Sequence, residues 1–189
     1  MLALVLALPA LVAVHTVTVE IDSTPGSCGV RGQFHVAVAP PAAWDVVADY
    51  DHIPDFVHSM VSSHTERQPD GRLRVRQTAI GGVFLFRRRV HLLLEIDEQP
   101  GRRIGFRDVL GRDFERYSGE WTLDADSTGT RVRYALDAHP KAAIPRGLCR
   151  SMLRRTARQL LEQVRDEMLR RAGESDEAGE STPQPTRKD

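Results

Sequence analysis

The sequence predicts a single α+β domain in which a curved antiparallel sheet wraps around one long C-terminal helix. Between residues 60 and 137, short segments of alternating apolar and polar residues are separated by turns rich in Gly, Pro or Asp. Helical periodicity does not interrupt them, which favours pairing as an antiparallel meander. Residues 146–172 then place apolar side chains at three- and four-residue steps, as one amphipathic helix does.

The first third of the chain supplies the other elements. Residues 15–21 alternate and are rich in β-branched side chains, which predicts a short strand, and the Pro- and Gly-containing residues 22–29 predict a loop. A second strand is predicted around Phe34. Pro40 opens a helix, because proline is tolerated in a first helical turn. Residues 49–56 predict a turn and a short second helix.

The two ends of the chain differ in composition from the domain, which spans residues 30–172. Residues 1–14 are almost entirely apolar and have the length of a signal-peptide core, although no Lys or Arg precedes them and no clear cleavage motif follows. We expect an exported or periplasmic protein if this segment is a signal peptide and a cytoplasmic one otherwise; an uncleaved anchor and a misassigned start codon are the alternatives. Residues 173–189 are polar and acidic, and they predict a disordered tail after a helix stop at Gly173.

The formal net charge is zero, but the opening third is acidic whereas the middle strands and the C-terminal helix are basic. A basic helix can attract an anionic membrane surface or an acidic partner, and it is also compatible with a solvated arginine face. Nucleic-acid binding is not expected, because the basic residues are not interleaved with exposed aromatic side chains. Cys28 and Cys149 lack the spacing of zinc ligands. We interpret them as unrelated thiols, with a disulfide as the alternative in an exported protein.

The polar residues show no catalytic constellation. The sequence contains neither a G-x-S-x-G motif nor a glycine-rich phosphate loop, and neither cysteine has a neighbouring histidine. His139, Asp108 and Glu120 are acid–base candidates without a visible partner. The acidic and histidine residues at positions 49–58 resemble metal ligands, but their two histidines do not have the spacing of a pair on one helix face. The sequence therefore predicts no catalytic residue, no metal and no cofactor.

Three phrases and the closing helix carry a family resemblance: FHVAVAPPAAWDVVADYD at residues 34–51, IPDFV at 53–57 and ERYSGEWTL at 115–123. Together they resemble the START-like, or SRPBCC, superfamily, and most closely the polyketide cyclase/dehydrase branch that includes the coenzyme Q-binding proteins. The resemblance implies the helix-grip fold, with a ligand cavity between the sheet and the long helix. Relatives that bind coenzyme Q usually place Pro-Trp-Cys after the aromatic residue of the second helix, where this chain continues with Val57 and His58. A quinone is therefore one candidate ligand among several.

Inward-facing side chains of this fold are the candidate ligand contacts. Arg88 is in phase with apolar residues of its strand, and a buried guanidinium needs a carboxylate or a ligand head group as partner. A β-bulge that turns Arg88 outward is the alternative. Gln77 is also in phase, either for a ligand carbonyl or for pairing within the sheet. The predicted ligand-binding residues are Phe56, Gln77, Phe84, Phe86, Arg88, Phe106, Tyr117, Trp121, Tyr134 and Met152.

Three functions are compatible with these features. The sequence favours a non-catalytic module that carries or sequesters a small hydrophobic ligand such as a lipid, a quinone or a polycyclic molecule. The second is an aromatase/cyclase-type enzyme for a polyketide-like substrate, which requires a polar pair deep in the pocket, such as Arg88 with Gln77 or Tyr134. The third is an interaction protein with a filled core that works through its basic helix.

Overall fold

The computed structural model describes residues 16–22, 28–81, 88–141 and 146–180. The helices are α1 (Pro40–Val47), α2 (Ile53–Phe56) and α3 (Arg146–Glu180), with a 3-10 turn at Tyr50–His52 before α2. The strands are β1 (Thr18–Asp22), β2 (Cys28–Val36), β3 (Met60–Arg67), β4 (Leu73–Gly81), β5 (Arg88–Gln99), β6 (Arg103–Asp108), β7 (Phe114–Asp126) and β8 (Gly129–Pro140).

The described strands form one antiparallel sheet in the order β1-β2-β8-β7-β6-β5-β4-β3. The meander predicted from the alternating segments is confirmed. Short turns join β3 to β4, β5 to β6 and β7 to β8. At the β5–β6 turn Gly101 has a φ of 74°, a backbone conformation that glycine adopts without steric penalty. β2 pairs with β8, so the helical segment between β2 and β3 crosses from one part of the sheet to the other. The strand predicted ahead of the domain, β1, lies at one edge of the same sheet, and β3 lies at the other.

One face of the sheet, called the inner face below, packs against α3. Gly32 of β2 lies on this face, and a Cβ atom at that position would overlap the side chain of Leu161 in α3. Strand alternation places Val30 and Phe34 on the same face, and both are buried with Leu161 in the hydrophobic core. The main contacts of α3 are with β1, β2, α1 and α2. The helix therefore covers the β1–β2 side of the inner face most closely.

α3 is longer than the sequence pattern indicates. It continues through Gly173 to Glu180, so the predicted helix stop at Gly173, and the disordered tail directly after it, are wrong. A glycine inside a helix costs only about 1 kcal/mol. Two local contacts support the helix around it: Arg170 Nη1 donates to Glu174 Oε1 at 2.5 Å, and Ser175 Oγ donates to the carbonyl oxygen of Arg171 at 2.9 Å. The predicted segments at residues 1–14 and 181–189 lie outside the described residues.

A disulfide joins Cys28 to Cys149, with the Cα atoms 6.6 Å apart. Our interpretation of these cysteines as unrelated thiols is wrong. Cys28 begins β2 opposite Ala138 near the end of β8, and Cys149 lies in the first turn of α3, the next element after β8. The two residues are separated by 121 positions in the sequence, so only the tertiary fold brings them together.

An ion-pair cluster, called the α3 clamp below, fastens the second half of α3 to the segment between α1 and α2. Arg171 donates through Nη1 to Asp49 Oδ2 at 2.9 Å and through Nε to Glu167 Oε1 at 2.6 Å. Asp49 Oδ1 also lies 2.6 Å from His52 Nδ1. Asp49 and His52, two of the residues that resembled metal ligands, therefore take part in structural contacts. Hydrogen bonds from Arg170 and then Arg171 lower the pKa of Glu167 to about 2.

We expect the α3 clamp to weaken at low pH. The pKa of Glu167 lies below its ordinary value of 4.5 in the folded protein, so its ionised form stabilises the fold. This contribution, at most about 3 kcal/mol for such a shift, is complete above pH 4.5 and is lost as the pH falls towards about 2. Urea denaturation between neutral and acidic pH measures it. Glu167→Gln is expected to lower stability at neutral pH and to flatten the acid-induced loss.

Glu162→Gln is the matched control for this measurement, because Glu162 lies on the same helix and takes part in no ion pair of the α3 clamp. This control is expected to keep the steep loss of stability of the wild-type protein. An equally steep loss in Glu167→Gln would show that other carboxylates cause the acid sensitivity.

Candidate ligand-binding site

Aromatic side chains gather on the inner face of β6, β7 and β8. Alternation along β7 points Tyr117, Gly119 and Trp121 to this face, and the register places Trp121 directly opposite Tyr134 of β8. The rings of Trp121 and Tyr134 lie 4.5 Å apart between centroids. We call the whole group the aromatic floor; its members are Phe106, Phe114, Tyr117, Trp121 and Tyr134.

The floor is continuous from one ring to the next. The centroid distances are 4.9 Å from Phe114 to Tyr117, 6.1 Å from Phe106 to Tyr117 and 6.3 Å from Phe106 to Tyr134. Aromatic rings attract one another at these separations. Gly119 makes the arrangement possible, because a Cβ atom there would lie 2.6 Å from Phe106 Cζ and would overlap the carbonyl oxygen of Ala135. The missing side chain lets the ring of Phe106 lie across β7.

The aromatic floor is not completely covered by the protein. Tyr134 is only 5% exposed, whereas Phe106, Phe114, Tyr117 and Trp121 keep partial exposure while packing against the core. Large aromatic side chains of a filled core bury most of their surface. α3 packs mainly over β1 and β2, on the other side of the inner face. The floor therefore presents an apolar surface that a flat or chain-like molecule can contact.

Two tyrosine hydroxyls supply the polar groups of this surface. The side chains of Tyr117 and Tyr134 lie close enough to influence each other's titration. Burial raises the pKa of Tyr117 to about 12 and raises the pKa of Tyr134 well above its ordinary value. Both hydroxyls are thus protonated at neutral pH. They can donate to, or accept from, a carbonyl or hydroxyl group of a ligand, and they are not bases.

The structure brings four of the predicted ligand contacts into the floor, namely Phe106, Tyr117, Trp121 and Tyr134. Gln77 is 7% exposed on the inner face of β4, where its Nε2 donates to Ser63 Oγ at 3.2 Å. Of the two interpretations for Gln77, pairing within the sheet is therefore the one observed.

Arg88 does not point into the fold. Its side chain is 51% exposed, and Nη2 donates to Asp113 Oδ1 at 2.8 Å. The predicted inward guanidinium is wrong, because Arg88 is the first residue of β5 and its half-exposed side chain pairs with Asp113 of the β6–β7 turn. Phe84 and Phe86 lie outside the described residues.

The other two predicted contacts lie on helices. Phe56 of α2 is half-buried beneath Arg171, whose guanidinium carbon lies 5.7 Å from the ring centroid, a cation–π contact. Met152 is half-buried in the first half of α3. In the described part of the chain, neither Phe56 nor Met152 takes part in the ring contacts that join the aromatic floor.

Phe114 is the floor residue that sequence reasoning missed. Regular alternation from Tyr117 places Phe114 on the outer face, three positions away. The β7–β8 register shifts between Phe114 and Arg116, a β-bulge that brings Phe114 back to the side of Tyr117. Nothing in the local residue pattern marks this extra residue.

A cavity of about 650 Å³ lies on the outer face of the sheet. The register aligns its small residues Gly105 and Ala135 with Glu120 on the face opposite to the aromatic floor. Arg103 lies over Gly105 and donates to Glu120 and Asp97, each at 2.8 Å. The charges of this cavity are largely paired with one another, so it is a solvated polar surface and not the apolar cavity that the sequence predicts.

The three acid–base candidates have structural partners. Asp108 accepts hydrogen bonds from backbone N–H groups of its own turn and of β5, and Glu120 accepts from Arg103. His139 Nε2 lies 2.6 Å from Arg116 Nη2 and 3.2 Å from Asp137 Oδ1. The described part of the chain contains no group of three side chains suited to hold a metal ion. It also has no helix both long and apolar enough to cross a membrane.

An antiparallel sheet that packs a long C-terminal helix against its inner face is the architecture of the START-like, helix-grip class of domains. The chain belongs to the family described as polyketide cyclase / dehydrase and lipid transport, whose model matches residues 27–170. No curated protein matches the chain.

Solved structures show the same fold. The Zhui aromatase/cyclase from Streptomyces sp. R1128 has 19% identity and a TM-score of 0.65, with 77% of this chain and 96% of that chain covered. The STAR-related lipid transfer protein from Xanthomonas axonopodis has 18% identity and a TM-score of 0.65, with coverages of 80% and 93%. A START superfamily protein from Mycobacterium smegmatis has 15% identity and a TM-score of 0.62, with coverages of 75% and 97%. At these identities the similarity shows the fold alone.

Proposed function

We propose that the protein binds one small apolar or amphipathic molecule against the aromatic floor and carries or sequesters it unchanged. The observation that carries this proposal is the partial exposure of Phe106, Tyr117 and Trp121 on the face of the sheet that forms the core. Apolar surface left open there is available to a lipid, a quinone or a polycyclic ligand. Covering about 100 Å² of it stabilises a complex by about 2.5 kcal/mol.

The polar groups of the site favour binding over catalysis. The enzyme hypothesis needs a polar pair deep in the pocket. The pair suggested by the sequence, Arg88 with Gln77 or Tyr134, does not form, because Arg88 pairs with Asp113 and Gln77 pairs with Ser63. What remains is a pair of neutral tyrosine hydroxyls, which suits the orientation of one carbonyl or hydroxyl group of a ligand.

A cyclase or dehydrase activity is the second candidate, because the same hydroxyl pair can polarise a ligand carbonyl. Tyr134→Phe separates the two functions. For a carrier, the bound molecule is recovered unchanged and the variant alters only affinity. For an enzyme, incubation with a poly-β-ketone substrate yields a cyclised product, and the variant forms it more slowly.

Tryptophan fluorescence tests the site directly, because the chain has two tryptophans and only Trp121 lies in the floor. Trp44→Phe leaves Trp121 as the single emitter, and we expect saturable quenching of its emission by a short-chain benzoquinone or an apolar dye. Trp121→Phe leaves Trp44 of α1, whose emission should change little. Trp121→Ser is expected to weaken binding about tenfold, because it removes a large apolar contact; since this variant lacks the reporter, its affinity is measured through the emission of an added apolar dye.

Native mass spectrometry of the purified full chain provides the independent measurement. A co-purifying lipid or quinone in near-stoichiometric amount would support the proposal and identify the ligand class. If no member of a panel of fatty acids, quinones and apolar dyes changes the Trp121 emission or binds by mass, the proposal is wrong. The filled-core interaction protein would then be the better description.

A location outside the cytoplasm is also part of the proposal. The disulfide between Cys28 and Cys149 supports it, because disulfides form and persist in oxidising compartments and are rare in the cytosol. Fractionation of cells that express the full chain, followed by thiol alkylation, tests this. A cytoplasmic protein with both thiols alkylated would contradict it.

A further inference from the structure

The turn between β6 and β7 holds two neighbouring apolar side chains out into solvent. Val109 and Leu110 are each 39% exposed. Two hydrogen bonds hold the turn in this conformation. Asp108 Oδ1 accepts from the backbone N–H of Leu110 at 3.1 Å, and Asp108 Oδ2 accepts from the backbone N–H of Gly111 at 3.0 Å. We call these two side chains the apolar tip. The hydrogen-bonded turn therefore keeps the side chains of Val109 and Leu110 exposed to solvent.

Three cationic side chains lie in the turn of the apolar tip or at the ends of the strands next to it. Arg112 follows it in the turn, Arg89 is exposed at the start of β5, and Lys141 Nζ donates to the carbonyl oxygen of Gly111 at 2.5 Å. Arg88 and Asp113 tie the start of β5 to this turn. Within the described residues, no carboxylate forms an ion pair with Arg89, Arg112 or Lys141. We call these three residues the basic collar.

We propose that this end of the protein docks on an anionic lipid bilayer, with the apolar tip inserted at the level of the headgroups and the basic collar against the lipid charges. Exposed apolar side chains beside unpaired cations are the combination that binds such interfaces. A soluble acidic protein would need, beside its charges, an apolar pocket shaped for both tip residues, whereas any anionic bilayer offers both environments.

The apolar tip lies next to the aromatic floor in the chain. Phe114, the first residue of β7, follows the turn directly, and its ring contacts Tyr117. A molecule leaving the bilayer at the apolar tip would therefore meet the floor at Phe114. This role in ligand transfer rests on the proposed function, whereas the membrane contact itself does not.

Sedimentation of the full chain with phosphatidylcholine vesicles, with and without phosphatidylglycerol, tests the contact. We expect binding to the anionic vesicles only, weakening as salt shortens the Debye length from about 10 Å at 0.1 M to about 3 Å at 1 M. Val109→Ser combined with Leu110→Ser should weaken binding about tenfold or more. Leu169→Ser is the matched control. Leu169 is 40% exposed in the C-terminal half of α3, away from the apolar tip, and this variant should bind like wild type.

A second pair of variants tests the charge. Arg89→Gln combined with Arg112→Gln should reduce binding at low salt about tenfold, whereas Arg131→Gln, an exposed cation near the opposite end of the sheet, should not. Unchanged thermal unfolding would show that the variants fold.

The inference is overturned if wild type does not sediment with anionic vesicles at low salt, or if the tip variant and the collar variant both bind like wild type. Trp121 fluorescence without vesicles keeps the two proposals distinguishable. Ligand binding without vesicle binding overturns the docking alone, and vesicle binding without ligand binding overturns the carrier function alone.

Discussion

Removal of the disulfide between Cys28 and Cys149 is expected to lower the free energy of unfolding by about 3 to 5 kcal/mol. The bridge spans 121 positions, so it excludes many extended conformations of the unfolded chain. Chain-entropy arguments give about 5 kcal/mol for a loop of this length, and native-state effects reduce such values. The double variant Cys28→Ser with Cys149→Ser leaves no unpaired thiol, and urea denaturation measures the loss.

The control for this prediction is the response to reductant. Dithiothreitol should destabilise the wild-type protein by a similar amount and should leave the double variant unchanged. The same variant also tests how α3 is held, because the bridge fixes its first turn to β2. Equal stability of the wild-type protein and the double variant would show that the bridge does not constrain the unfolded chain.

The sheet could be predicted because its signals are local. Alternation with a period of two identifies strands, and short turns between them leave antiparallel neighbours as the simplest arrangement. Once the register of β7 and β8 follows from their turn, Trp121 and Tyr134 must face each other. Four of the ten predicted ligand contacts share the aromatic floor for this reason. The long helix was predictable in the same way, from its period of 3.6 residues.

The features that could not be predicted depend on partners distant in the sequence. Arg88 has the alternation of an inward residue, but Asp113 from another turn holds it outside. The pairing of Cys28 with Cys149 requires β2, β8 and α3 to meet at one end of the molecule. Phe114 joins the floor through a bulge that changes the register by one residue. In each case the local pattern was correct and a tertiary contact decided the outcome.

The helix end at Gly173 is a different kind of error. Glycine is common just after a helix, but its cost within a helix is only about 1 kcal/mol, so side-chain contacts on either side can outweigh it. The contacts from Arg170 to Glu174 and from Ser175 to Arg171 cross this position. Both contacts join residues four positions apart in the sequence, and together they outweigh the weak preference of one glycine for a helix end.

Gly119→Ala is expected to destabilise the protein by about 3 kcal/mol, at the upper end of the usual range for overpacking. The added Cβ atom would overlap the carbonyl oxygen of Ala135 in the neighbouring strand, and backbone at the centre of a sheet moves less easily than a side chain. It would also lie 2.6 Å from Phe106 Cζ and push that ring out of the aromatic floor. Ligand affinity measured through Trp121 should therefore fall with stability.

Gly173→Ala is the matched control, since it makes the same chemical change where a Cβ atom meets nothing within 4 Å. It should stabilise the protein by about 0.5 to 1 kcal/mol through helix propensity and should leave ligand binding unchanged. Urea denaturation of both variants gives the comparison. If Gly119→Ala retains wild-type stability and affinity, the close packing of Phe106 over β7 does not form the floor, and the ligand surface must be sought elsewhere on the inner face.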